Sequence, residues 1–241
     1  MAYRTDPRFA QPGIAVPATD EGLRSFMLSV YNYMGLGLAI TGLVALAVAS
    51  TPALYVPIFT TPLKWVVMLA PLGFVFFLSA RIHSLSASAA QIAFWAFAAV
   101  MGVSMASIFL VYTGESIARV FFVAAATFGA ASLYGYTAKR DLTSMGSFLF
   151  MGLIGIIIAS LVNIFVGSSA LQFAVSVIGV LVFTGLTAWD TQRLKEQYLG
   201  SLQYAGADIA GKTAVMGALS LYLNFINLFM MLLQLMGNQR N

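Results

Sequence analysis

Between Asp141 and Asp190 the chain carries no charged side chain, and a second uncharged stretch runs from Arg24 to Lys64. A water-facing surface is built from ionisable residues, which make up about 25% of a soluble domain. Here Asp, Glu, Lys and Arg supply 8% of 241 residues, and 60% are hydrophobic. Hydrocarbon is the solvent that fits this inventory. Backbone groups find no partner in lipid, so a segment that crosses it is a helix or a strand of a closed barrel. The short alternating segments of barrel strands are absent, which leaves helices.

The charged residues act as fence posts between spans. The first span reads Phe26–Ser50, ended by Thr51, Pro52, Pro57 and Pro62. The second, shorter one is Trp65–Ala80, the third Ser88–Tyr112 and the fourth Val120–Tyr136. The long uncharged run breaks at Gly167-Ser168-Ser169 into Gly146–Val166 and Leu171–Trp189, and the seventh span is Thr213–Met236. Each is near the roughly 20 residues that cross a bilayer. The expected fold is an all-α integral membrane protein, a seven-transmembrane-helix bundle at residues 25–241 behind a polar tail at residues 1–24. That tail has no signal-peptide apolar core. Of the 12 Lys and Arg residues, nine fall on the side of the tail and three (Lys64, Arg119 and Arg240) on the other. The positive-inside rule then places the N-terminus in the cytoplasm and the C-terminus outside. The same clustering at span ends argues against a nucleic-acid partner despite the net charge of +4. The expected partner is the lipid bilayer.

Several chemistries are closed by residue counts. There is no cysteine, and His83 is the single histidine, so thiolate or His-rich metal sites cannot form. An intramembrane aspartyl protease needs two buried carboxylates, and Asp190 alone qualifies. No enzyme reading and no resident cofactor survive. Small residues repeat at i+4 in Ala98, Gly102 and Ala106 and in Gly155 and Ala159, a spacing that lets helices approach closely.

Asp190 follows the sixth span in the run Trp189-Asp190-Thr191-Gln192-Arg193-Leu194-Lys195. If the helix continues to Lys195, the carboxylate lies at membrane depth, with Thr187 and Phe183 on its face. Two readings stand: a functional intramembrane carboxylate, or a helix-end group pairing with Arg193 or Arg81. In the seventh span Ser220, Asn224, Asn227, Met231 and Gln234 are spaced 4, 3, 4 and 3 residues apart, so they share one narrow stripe. Such a stripe faces the bundle interior or a wet cavity, either as interhelical hydrogen bonding or as the lining of an ion path.

Three segments together carry a family resemblance. They are Ser132-Leu133-Tyr134-Gly135-Tyr136-Thr137 with Lys139-Arg140-Asp141-Leu142, then Trp189-Asp190-Thr191-Gln192, then the run from Ala218 to Phe229. From Gly22 to Gly237 the chain resembles the Bax inhibitor-1 family, in particular its bacterial YccA-like branch. The resemblance implies a seven-helix bundle with the last helix central. It also implies a calcium leak across the bacterial inner membrane that responds to pH. The family's site is a pair of aspartates. Asp190 matches the first, but where the family reads Leu-Asp-Phe-Ile this chain has Leu223-Asn224-Phe225-Ile226. Two close carboxylates share a proton and titrate as a unit; an Asp–Asn pair lacks that repulsion. Asn224 still offers an amide oxygen, which calcium accepts as a ligand.

The expected ion path is therefore Asp190, Asn224, Asn227, Ser220 and Thr187, with Asp190 and Asn224 as the calcium ligands and Arg81 as counter-ion. Family members are also associated with stress and cell-death control. That leaves an alternative, a non-transporting regulator that binds another membrane protein such as a quality-control protease.

Overall fold

The computed structural model describes residues 17–240, which fold as helices joined by short connections. Eight helices follow in order: α1 (Pro17–Ala49), α2 (Pro52–Thr60), α3 (Leu63–Arg81), α4 (Ala87–Val111), α5 (Gly114–Thr137), α6 (Thr143–Val166), α7 (Ser169–Gly200) and α8 (Ala207–Met236). All but α2 are long and apolar enough to cross a membrane, and the protein is an all-α membrane bundle.

Helices α5, α7 and α8 run further than the spans the sequence suggested, to Gly114, Gly200 and Ala207, and two other departures change the organisation. Helix α1 begins at Pro17, so residues 17–24 of the expected tail form its first turns, with Leu23 buried among the bundle. Residues 1–16 of that tail lie outside the described residues. The proline-rich stretch after α1 is not a plain break. It folds as the one-sided helix α2, which starts at Pro52, holds Pro57 and buries none of its residues. Proline at the first helical position gives up only an N–H that has no intrahelical partner.

The other breaks follow local chemistry. Gly167 adopts φ 63°, the left-handed conformation that ends α6, and the next residue, Ser168, accepts from Leu171 N–H at 3.3 Å to start α7. Ser86 and Thr113 cap α4 and α5 in the same way. At the end carrying Arg119 and Arg240, the C-terminal residues pair with the α4–α5 connection. Arg240 N–H donates to Val111 O at 2.8 Å, and Asn238 N–H donates to Ser116 Oγ at 2.8 Å.

Helix α8 is the axis of the bundle. Over its apolar window 67% of residues are buried, against 11% in α3 and in α6. It is surrounded by α1, α4, α5 and α7, while α3 leans on α4 and α6 on α7. In lipid no hydrophobic effect drives helices together, so close packing and hydrogen bonds must hold them. The stripe Ala98, Gly102 and Ala106 supplies the packing as expected. All three are buried, and a Cβ at Gly102 would meet the Thr41 carbonyl at 2.7 Å. Gly155 does not; it is exposed, and a Cβ there would meet nothing.

Tyr222 supplies the hydrogen bond. It is fully buried against the edges of Phe94 and Phe97. Thr41 gives its hydroxyl proton to backbone carbonyls, so Tyr222 is the donor in their 2.7 Å contact. Tyr222→Phe removes this α8–α1 tie while keeping the ring. The expected loss is about 1 kcal/mol, within the range of interhelical bonds in membranes, read as a lowered unfolding midpoint in a detergent titration.

Candidate functional site

Helix α7 continues past Lys195 to Gly200, which places Asp190 inside the bundle. Successive residues on a helix step by about 100°, so the four residues 189–192 point at four different neighbours. The Trp189 indole lies against Gly146 of α6, in the space a Cβ there would need. Asp190 Oδ2 accepts from Asn224 Nδ2 of α8 at 2.8 Å. Thr191 Oγ1 lies 3.0 Å from Ser132 of α5, which also meets the Tyr31 hydroxyl of α1. Thr191 gives its own proton to Thr187 O, so the chain of donors runs Tyr31 to Ser132 to Thr191.

Gln192 binds the α5–α6 connection. Its amide nitrogen donates to Arg140 O at 2.8 Å, and its oxygen accepts from Leu142 N–H at 2.7 Å. Next in that connection, Asp141 accepts from Thr143, whose hydroxyl and N–H hold its carboxyl below the usual carboxylate range. The sequence marked Trp189-Asp190-Thr191-Gln192 as a motif. Its physical content is that one turn of α7 fixes α6, α8, α5 and a loop at once.

The counter-ion of Asp190 is Arg193, not Arg81. Arg193 Nη2 lies 2.7 Å from Asp190 Oδ1, and its guanidinium stacks over Trp189 at 4.7 Å. Arg81 is exposed at the end of α3. An i,i+3 partner on the same helix is held near the carboxylate by the backbone itself, whereas Arg81 would need α3 to bring it there. The pair is asymmetric. Asp190 is 6% exposed, while the Arg193 side chain is 45% exposed and reaches outward. Oδ1 has charge compensation from Arg193 without an aligned hydrogen bond.

Two cavities meet at this pair. One, of about 730 Å³, lies at the basic end and is lined by Gln197, Lys212, Thr213 and Ser79. The other, of about 680 Å³, is a cleft between α3 and α6 whose floor is formed by α7 and α8. Arg193 and Ser220 line both. Of the predicted stripe, Ser220, Asn224, Asn227 and Met231 face the cleft together with Asp190.

Thr187 does not join them. It is fully buried and gives its hydroxyl to Phe183 O at 2.7 Å. Gln234 lies beyond, accepting from Ser176 of α7 at 2.9 Å. Below it Met231 packs into Gly179, so α7 and α8 are sealed past Asn227.

Among the described residues no group of three or more His, Asp or Glu side chains comes together. The side-chain oxygens lining the cleft with Asp190 are those of Asn224, Asn227, Ser220 and Ser160, and of these residues Asn224 is hydrogen-bonded to the carboxylate.

Fold and site define a class: a seven-span helical membrane bundle built around its last helix, with a buried carboxylate–amide pair near one end that meets a half-exposed guanidinium. The family described as "Inhibitor of apoptosis-promoting Bax1" matches residues 23–241, and the chain belongs to this Bax inhibitor-1 family. It is 50% identical over 223 residues to an uncharacterized protein of Rickettsia prowazekii, covering 92% of this chain and 93% of that one. It is 48% identical over 222 residues to the inner membrane protein YbhL of Escherichia coli K12, covering 91% and 94%. An uncharacterized protein of Caulobacter vibrioides is 46% identical over 234 residues, covering 92% of each.

Proposed function

We propose that the chain is a calcium leak pathway of the bacterial inner membrane, with Asp190 and Asn224 at its constriction. It acts as a transporter and not as an enzyme, with calcium as cargo rather than as a resident ion. The observation that carries this reading is that two cavities meet at Arg193, the ion-pair partner of the buried Asp190 carboxylate that lines one of them. A carboxylate at membrane depth costs roughly 2.5–3.5 kcal/mol even on the mildest scale, and such groups mark ion routes.

By the positive-inside rule, the end carrying Arg81, Arg140, Arg193 and Lys212 faces the cytoplasm. The inner-membrane setting is that of the Escherichia coli relative. In the conformation described, the Arg193 guanidinium takes the place a passing cation would take, and the Gln234–Ser176 contact closes the route further out. This is the closed form. Passage requires Arg193 to turn toward the basic-end cavity, where its half-exposed side chain already reaches.

Asn224 determines how the leak answers pH. With one carboxylate, the site has no shared proton. Asn224→Asp puts a second carboxylate within contact of the first, and two such groups titrate together. Calcium entry into proteoliposomes, followed at neutral and acid pH, tests this. Wild type should pass calcium with little change between the two. Asn224→Asp should lose part of its calcium entry on acidification, as the carboxylate pair takes up its shared proton and falls from two negative charges to one. Identical pH profiles for the two proteins would show that position 224 does not set the response.

A further inference from the structure

The cleft between α3 and α6 has a polar floor but apolar walls. Leu72 of α3 and Phe150 and Ile164 of α6 line it, and these side chains are 58%, 55% and 74% exposed. In a membrane that exposure is to lipid, so the cleft opens sideways into hydrocarbon. From Phe150 to Ile164 it follows α6 for about 21 Å at 1.5 Å per residue, more than one leaflet of a hydrocarbon core roughly 30 Å thick. Along these walls Ser160 of α6 is the one polar side chain that lines the cleft, so water finds few partners there. At the basic end the character changes. Arg193 stands where the cleft joins the second cavity, and Lys212 lines that cavity beyond it. Each cation has one carboxylate partner, Asp190 for Arg193 and Asp208 for Lys212. A guanidinium carries five donors, and the Arg193 side chain is 45% exposed, so its outer edge is open to a second anion.

We propose that this cleft is a binding site for an anionic phospholipid, with an acyl chain lying between α3 and α6 and the headgroup phosphate on the outer face of Arg193. The match is one of polarity along a line: apolar walls at bilayer depth, then a cation at the basic end. Basic pockets between transmembrane helices on the cytoplasmic side bind anionic headgroups by this arrangement. The inference stands on the walls and the cation, not on ion passage, so it is tested without a flux measurement.

The test uses Trp189, which lines the cleft, as reporter. The full chain carrying Trp65→Phe and Trp95→Phe keeps Trp189 as its single tryptophan. It is reconstituted into phosphatidylcholine vesicles containing increasing fractions of phosphatidylglycerol or phosphatidylcholine with brominated acyl chains. Brominated phosphatidylglycerol should quench Trp189 at a mole fraction about five-fold lower than brominated phosphatidylcholine, the preference expected of one basic residue at a headgroup. Arg193→Gln should abolish the preference and Arg193→Lys should keep it. Ser160→Phe, which narrows the cleft without touching the cation, should weaken quenching by both lipids. Equal quenching by the two lipids in the parent protein overturns the proposal, as does a preference that survives Arg193→Gln.

Discussion

Gly135→Val will leave little folded protein. A Cβ at Gly135 falls on the backbone of Ala188, with its carbonyl oxygen, carbonyl carbon and Cα all closer than real Cβ atoms approach. Where a flexible side chain stands in the way it can swing aside; here the obstacle is the main chain of α7, so α5 and α7 must separate. Overpacking of this kind costs about 1–3 kcal/mol and more where the backbone itself must move. The displacement would also break the Ser132–Thr191 contact one turn away and the Gln192 bonds to the α5–α6 connection. The expected result is a protein that elutes as aggregate after detergent extraction, while Gly155→Val, at an exposed glycine with nothing nearby, elutes as wild type does. Equal behaviour of the two variants would mean that the close approach of α5 and α7 contributes nothing.

Gly135 also shows what the sequence can and cannot tell. The run Ser132-Leu133-Tyr134-Gly135 is legible as a family signature, but its cause is an approach to Ala188, 53 positions along the chain, and no local pattern reports that distance. The seven spans were legible because charge is so expensive in hydrocarbon that its absence marks each one. Helix α2 was not, because its prolines read as breakers; Pro52 stands at the first turn, where no N–H is needed, but Pro57 lies inside the helix. Small-residue spacing was half informative. Ala98, Gly102 and Ala106 meet α1, but Gly155 faces outward, since spacing alone does not say which way a helix is turned.

The candidate site follows the same division. The polar stripe on α8 was legible from its spacing of 4, 3, 4 and 3, and four of its five residues share the cleft. The contact of Asp190 with Asn224 came only through the family resemblance. The sequence offers both Arg193 and Arg81 as partners for Asp190, and the structure pairs it with Arg193. An i,i+3 pair on one helix needs no tertiary fold to form. Thr187 shares Asp190's helix face in sequence, but its hydroxyl is taken up by the Phe183 carbonyl, the ordinary fate of a threonine inside an apolar helix. Gln192 is legible only as part of the motif Trp189-Asp190-Thr191-Gln192. Its role depends on a loop folding back onto α7, and no periodicity encodes that.

Asp190→Ala removes the one buried charge on which the leak reading depends. Asn224 then loses its acceptor and Arg193 its partner, but the guanidinium is half exposed and can turn to water, so the bundle should survive. The measurement is calcium entry into proteoliposomes at neutral pH, with wild type and Asp190→Ala reconstituted at equal density after each is shown to be monodisperse and helical. Wild type should admit calcium and Asp190→Ala should fall to the rate of protein-free vesicles. Calcium entry through Asp190→Ala at the wild-type rate, or no entry through wild type itself, would contradict the account.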